Sequence, residues 1–144
     1  MKKTGFTLVE ILFAIGIIGM TTAIGIPFYQ STIKNLNLSS TARSVASDLR
    51  YAQQLAVTTQ INHSVIFSII GNSYQIKNQG TQNIIKTVKI DDGIALDSII
   101  GLEYDTATFN ATGAATSTGI ITLKNENNRT STIEIKPSGY VKIQ

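Results

Sequence analysis

Hydropathy divides the chain into an apolar N-terminal stretch, an amphipathic middle and an alternating remainder. Between positions 6 and 26 the only charge is Glu10. At ~1.5 Å per residue a helix of that length reaches about 31 Å, enough to cross a hydrocarbon core. From 28 to about 61 the helical period continues with a stripe. Leu38, Ala42, Val45, Leu49, Ala52 and Ala56 recur at three- and four-residue intervals, and Leu55 widens the face. Lys34, Arg43, Asp48, Arg50 and Gln54 are assigned mostly to the other faces. Pro27 stands between the two regimes; it removes an amide hydrogen and obstructs the preceding turn, so it is expected to bend the helix or free carbonyls near Ala23 and Ile24. Gly16, Gly19 and Gly25 permit close helix contacts or simply loosen an apolar helix.

After Asn62 and His63 the period falls to two. Positions 65–70 and 74–77 flank Gly71-Asn72-Ser73 and predict a hairpin. Positions 85–90 form the next candidate strand, followed by an Asp91-Asp92-Gly93 turn and short apolar pieces at 94–96 and 99–102. The segment 109–118 lacks a clean period and is expected to be a short strand with an exposed loop. Strict alternation returns at 120–124, 131–136 and 140–143, separated by turn residues at 125–130 and 137–139, which predicts a closing meander. The expected fold class is α+β: a long N-terminal helix whose second half packs on a C-terminal antiparallel β-sheet domain.

The apolar run is an anchor rather than an ordinary secretory signal. Ile26 and Pro27 are followed by Phe28 and Tyr29, with no small-x-small cleavage site behind the run. Lys2 and Lys3 precede it and no further cation appears until Lys34, so the N-terminus is expected in the cytoplasm and the remainder is exported. A carboxylate entering hydrocarbon is costly, about 2.5–3.5 kcal/mol at a helix centre and less near an end. A cut between Gly5 and Phe6 would place a new α-amino group four residues from Glu10. That amine could sit near the side chain in its own helix or pair with the glutamate of a neighbouring copy.

The run from Lys2 to Glu10, Lys-Lys-Thr-Gly-Phe-Thr-Leu-Val-Glu, followed by Ile11, Leu12 and the apolar helix, resembles the prepilin leader of type IV pilins and type II secretion pseudopilins. The resemblance implies a type IV pilin-like fold. It also implies a prepilin peptidase that cuts between Gly5 and Phe6 and methylates the Phe6 amine, with Glu10 aiding entry into the filament and Pro27 matching a common helix-interrupting proline. The implied organisation is a leader at 1–5, a transmembrane and filament-core helix at 6–27, and an exported domain at 28–144. Within that domain the amphipathic helix covers about 28–61 and the β-rich part about 64–144. Removing residues 1–5 leaves 10 Lys+Arg against 9 Asp+Glu, or +1, so the formal charge of +3 is substantially a leader effect. With no cysteine, the C-terminal disulfide loop of many major pilins is excluded.

A narrower likeness covers most of the chain. The helix from Ala42 to Ala56, then Asn62, the strand at 65–70 and the closing strands resemble the GspH/FimT group of minor pseudopilins and minor pilins, although Ala52-Gln53 stands where relatives often have Ala-Arg. This implies a bacterial inner-membrane protein with a periplasmic domain, taken into a pseudopilus for type II secretion or, alternatively, into a type IV pilus. Implied partners are the peptidase, other major and minor pseudopilins or pilins, the inner-membrane assembly platform and membrane lipid. Retention of Glu10 argues for a subunit that sits beneath a neighbour. Some FimT-like members bind DNA through a Gly-Arg-x-Arg motif; here Gly139-Tyr140-Val141-Lys142 occupies that place. Lys136 and Lys142 could meet phosphate and Tyr140 stack on a base, with Lys124 and Arg129 nearby, but the favoured reading is ordinary strand-face solubility.

No enzyme is indicated, and no metal or cofactor. His63 is the single histidine and is expected at a boundary or on the surface; no Ser, His and acid arrangement accompanies it. Asp91 and Asp92 lie side by side in a turn without the repeated acidic spacing of a calcium loop.

Overall fold

The computed structural model describes residues 5–144; residues 1–4, including Lys2 and Lys3, and the side chain of Pro27 lie outside the described residues. One helix, α1, runs Leu8–Thr59, passing through position 27. The chain resolves into two compact units that divide after Ile33.

In the first unit the helix carries its apolar side chains outward all round, from Leu8 at 75% exposure to Ile26 at 52%. Thr21 and Thr22 do not break this character, because their hydroxyls donate to the carbonyls of Ile17 and Ile18 at 2.7–3.0 Å. In hydrocarbon such back-bonding hides the hydroxyl, which would otherwise have no partner. By length and composition the helix is able to cross a membrane.

The second unit, Lys34–Gln144, starts with the amphipathic part of α1. Every residue of the expected stripe from Leu38 to Ala56 is buried, and Ala46 and Thr41 join it, while Leu55 stays at its edge. Eight strands follow: β1 (His63–Ser68), β2 (Ser73–Asn78), β3 (Ile84–Lys89), β4 (Ile94–Ile100), β5 (Thr106–Phe109), β6 (Gly119–Asn125), β7 (Thr130–Ile135) and β8 (Val141–Ile143). They form two four-stranded antiparallel sheets, ordered β3-β2-β1-β5 and β4-β6-β7-β8. The chain thus changes sheet at the Asp91–Gly93 turn, returns for β5, and leaves again for the closing meander. One core unites helix and sheets, with Leu49, Ile76, Phe109, Ile121, Leu123 and Ile133 fully buried. Burying each such side chain contributes about 1.5–3 kcal/mol.

Three expectations change. Ile69 and Ile70 belong to the turn between β1 and β2 rather than to a strand, and Ile70 is fully exposed. The piece at 94–96 and the first half of the piece at 99–102 form one strand, β4, whose register shifts between Leu96 and Ser98, while Gly101 and Leu102 lie beyond its end. His63 is buried, not superficial: it opens β1, which is flanked by β2 and β5, and its Nδ1 lies 2.8 Å from the Ile61 carbonyl.

Asp48 is the fourth correction, and it ties the helix to the first sheet. Its side chain is nearly buried; the Tyr74 hydroxyl donates to Oδ2 at 2.6 Å and Lys86 Nζ donates to both oxygens at 2.7 and 2.8 Å. Arg50 holds the second sheet by donating to the Val141 carbonyl at 2.9 Å, and Asn125 reaches Asn35 at 3.0 Å. Between the sheets, the Asn72 amide donates to the Ile94 carbonyl and its oxygen accepts from Leu96 N–H. Burial, then the Asp48 carboxylate, raises the Tyr74 hydroxyl well above its ordinary 10.0. A raised acid contributes stability that is full below the unfolded value and lost as pH rises past it. Above pH 10 the chain should therefore lose at most about 1.4 kcal/mol per pH unit through this group, a loss that Tyr74→Phe removes from the alkaline arm of the stability profile.

Gly139 fixes the closing turn. Its φ of +80° disfavours any side chain, and a Cβ there would run into the Gly113 carbonyl and the Gln53 amide, which are themselves hydrogen bonded at 2.7 Å. Gly139→Ala is expected to cost about 3 kcal/mol, read as a lower thermal midpoint of the full chain in detergent.

Candidate functional site

The candidate processing and assembly residues Gly5, Phe6 and Glu10 lie at the start of α1, where three non-helical residues, Gly5, Phe6 and Thr7, lead into Leu8. Gly5 is exposed, and a Cβ added to it would meet nothing within 4 Å. Packing among the described residues therefore makes no demand for glycine at that position. Phe6 is similarly free of cover.

Glu10 is not left without partners. Its Oε2 accepts from Thr7 N–H at 2.8 Å and from Thr7 Oγ1 at 2.9 Å, while Glu10 N–H donates to Thr7 Oγ1 at 3.3 Å. This is a capping box, in which the N-cap residue and the third helical residue satisfy each other's free groups. The expectation that the carboxylate needs a cation is thereby modified, because two donors from Thr7 and the positive end of the helix already favour it. An amine created on Phe6 would arise one peptide unit from the Thr7 N–H that makes this bond. Sequence reasoning weighed Glu10 by its charge alone and missed Thr7; the Thr-x-x-Glu spacing ahead of an apolar run was the available signal.

From beside Glu10 over the next three turns, Val9, Leu12, Phe13, Gly16, Ile17 and Met20 line an open apolar concavity of about 450 Å³ on the helix surface. Gly16 leaves the dent in this row of larger side chains. A neighbouring helix can approach closely at such a gap. Pro27, expected to act in assembly, lies 17 residues after Glu10 in the same helix, and its side chain is outside the described residues.

The candidate DNA contacts are far from this segment in sequence, at the turn between β7 and β8. Lys136 N–H donates to the Tyr140 carbonyl, Tyr140 is 59% exposed, and Lys142 stands opposite Glu134 in the strand register. Arg129 does not join them: it precedes β7, so a strand of six residues, about 20 Å long, separates it from Lys136. Lys124 is ion-paired with Asp97 at 3.8 Å. Among the described residues no group of three or more His, Cys, Asp or Glu is placed to hold a metal ion.

Comparison with known proteins bears on these features. A family model described as type II transport protein GspH matches residues 41–139. The prepilin peptidase-dependent protein D of Escherichia coli K12 is 29% identical over 102 residues, which cover 71% of this chain and 66% of that protein, just under two-thirds of its length. Among solved structures, the minor pseudopilin EpsH from the type 2 secretion system of Vibrio cholerae superposes with a TM-score of 0.63 at 11% identity, covering 75% of this chain and 96% of its own. The type IV minor pilin FimU of Pseudomonas aeruginosa gives a TM-score of 0.63 at 14% identity, covering 77% and 90%. These structural likenesses establish a type IV pilin-like fold.

Proposed function

The chain belongs to the GspH family of type II transport proteins, and from that membership we propose that it is a minor pseudopilin, a structural subunit of the periplasmic pseudopilus that drives type II secretion. The observation that carries the reading is the combination of the family's domain over 41–139 with the Gly5–Glu10 segment at the head of an exposed apolar helix. In this reading a prepilin peptidase removes residues 1–5 and methylates the Phe6 amine. The helix holds the subunit in the inner membrane with its N-terminus in the cytoplasm and its domain in the periplasm. Extraction by the assembly platform then transfers the same apolar surface from lipid to the filament core.

That transfer sets the physical requirement on α1. Its surface must be apolar enough to reside in lipid yet able to exchange lipid for other helices, which it meets with exposed Leu, Ile and Phe and a gap at Gly16. No reacting groups are needed, and the domain supplies a fixed shape for packing against other pseudopilins. The FimU likeness supports a second reading, a FimT-like minor subunit of a type IV pilus. Deleting the gene in its native host separates the two. Secreted enzymes retained in the periplasm of cells with normal pili support the pseudopilus, whereas lost pili with intact secretion would replace it with the pilus reading. For DNA, retardation of labelled duplex by the full chain in detergent, abolished by Lys136→Ala with Lys142→Ala, is the corresponding test; no retardation by the unaltered chain removes that role.

A further inference from the structure

We propose that Thr7 is a positioning residue for leader removal: as N-cap of α1 it stops the helix at Leu8 and keeps the Gly5–Phe6 peptide outside helical hydrogen bonding. The inference rests on the processing site proposed above.

The competition is between two acceptors for one donor. If the helix continued toward the leader, Glu10 N–H would bond the Phe6 carbonyl and Val9 N–H the Gly5 carbonyl, following the i to i−4 rule. In the structure Glu10 N–H donates instead to Thr7 Oγ1 at 3.3 Å, and an intrahelical bond runs from Ile11 N–H to the Thr7 carbonyl at 3.3 Å. This is the arrangement of an N-cap residue, whose side chain takes a free amide while its own carbonyl begins the ladder. Glu10 completes the lock by accepting from Thr7 N–H and Oγ1. Such a stop matters next to a membrane, where unpaired backbone groups are costly and an apolar sequence tends to extend its helix.

Leader removal needs the opposite condition at the bond being cut. Water adds to the Gly5 carbonyl carbon, the C–N bond to Phe6 breaks, Gly5 departs as a carboxylate, and the Phe6 nitrogen takes up a proton to leave as an amine. A Gly5 carbonyl engaged by Val9 N–H inside a helical turn is shielded from that attack. With Gly5, Phe6 and Thr7 non-helical and Gly5 uncovered, the bond lies in a segment outside the helical ladder that an endopeptidase is able to bind.

The test uses the full-length chain co-expressed in membranes with a prepilin peptidase, and follows loss of residues 1–5 by intact mass over time. Thr7→Val keeps the shape and removes the hydroxyl, and should slow processing about five-fold, the population change that follows loss of one N-cap. Thr7→Ser retains the cap and should process at the unaltered rate. Adding Leu8→Pro to Thr7→Val should restore the rate, because proline at the first helical position bars extension and holds the preceding residue extended. Normal processing of Thr7→Val overturns the inference. So does a slow Thr7→Val that Leu8→Pro fails to rescue while Thr7→Ser stays active, since the peptidase would then be reading the hydroxyl directly. An unaltered chain that never loses its first five residues overturns the processing site itself, and the inference with it.

Discussion

A chain carrying Gly5→Leu should keep residues 1–5 and fail to enter filaments, although its domain folds normally. Both halves of that result follow from where Gly5 stands. It is exposed, outside α1, and a Cβ there would meet nothing within 4 Å among the described residues, so a side chain starts into open space and fills no core position. Surface changes of that kind move stability by less than about 0.5 kcal/mol. If a prepilin peptidase cuts here as proposed, the cost falls on its encounter with this residue, where a branched side chain replaces a bare backbone. Intact mass should show no loss of residues 1–5, the thermal midpoint should match that of the unaltered chain, and secretion should fail as fully as in a deletion. On the proposed topology a retained leader also carries two lysines that extraction would have to draw through hydrocarbon, at about 2.5–3.5 kcal/mol per cation on insertion scales. A Gly5→Leu chain that is shortened and assembled normally would remove the prepilin reading.

The helical stripe was readable because six positions, Leu38 to Ala56, agree in both spacing and apolar character, and a periodic signal of that length leaves little freedom. Asp48 was misplaced for the converse reason. Positions 45, 48, 49 and 52 share one face, so geometry alone puts Asp48 in the core; its charge argued otherwise, and Tyr74 and Lys86, from strands 26 and 38 residues away, make the burial tolerable. The closing meander was legible because each strand alternates and its turns are short, whereas the division into two sheets was not. Alternation says which residues share a face but not which strands pair, and here β5 leaves its sequence neighbours β4 and β6 to join β1. His63 was misread for lack of that same information, since a residue after a helix is buried only if the strand it opens is internal. At the N-terminus the leader motif was informative as a whole, yet its internal bonding was missed because Glu10 was read as a charge and not as half of a cap.

Removing the Glu10 carboxylate separates its two roles. Glu10→Ala loses the bonds from Thr7 N–H and Oγ1 to Oε2, but the backbone N–H at position 10 still has Thr7 Oγ1 as its acceptor. The N-cap therefore survives, α1 still starts at Leu8, and processing should proceed with at most a small delay, less than Thr7→Val causes. Assembly should suffer far more. On the proposed assembly route a subunit moving from lipid to the filament core would carry this charge in a low-dielectric setting, where a partner cation such as a methylated Phe6 amine of a neighbour would make a directional contact that no apolar side chain replaces. The fraction of processed chain recovered in sheared filaments, relative to membranes, should fall at least about ten-fold, equivalent to a loss of ~1.4 kcal/mol in incorporation. Glu10→Gln sharpens the test, because glutamine serves in a capping box equally well and differs only in charge. If Glu10→Gln assembles like the unaltered chain and Glu10→Ala does not, the residue acts through its cap. If both fail to assemble while both lose residues 1–5, it acts through its charge, which is the expected result.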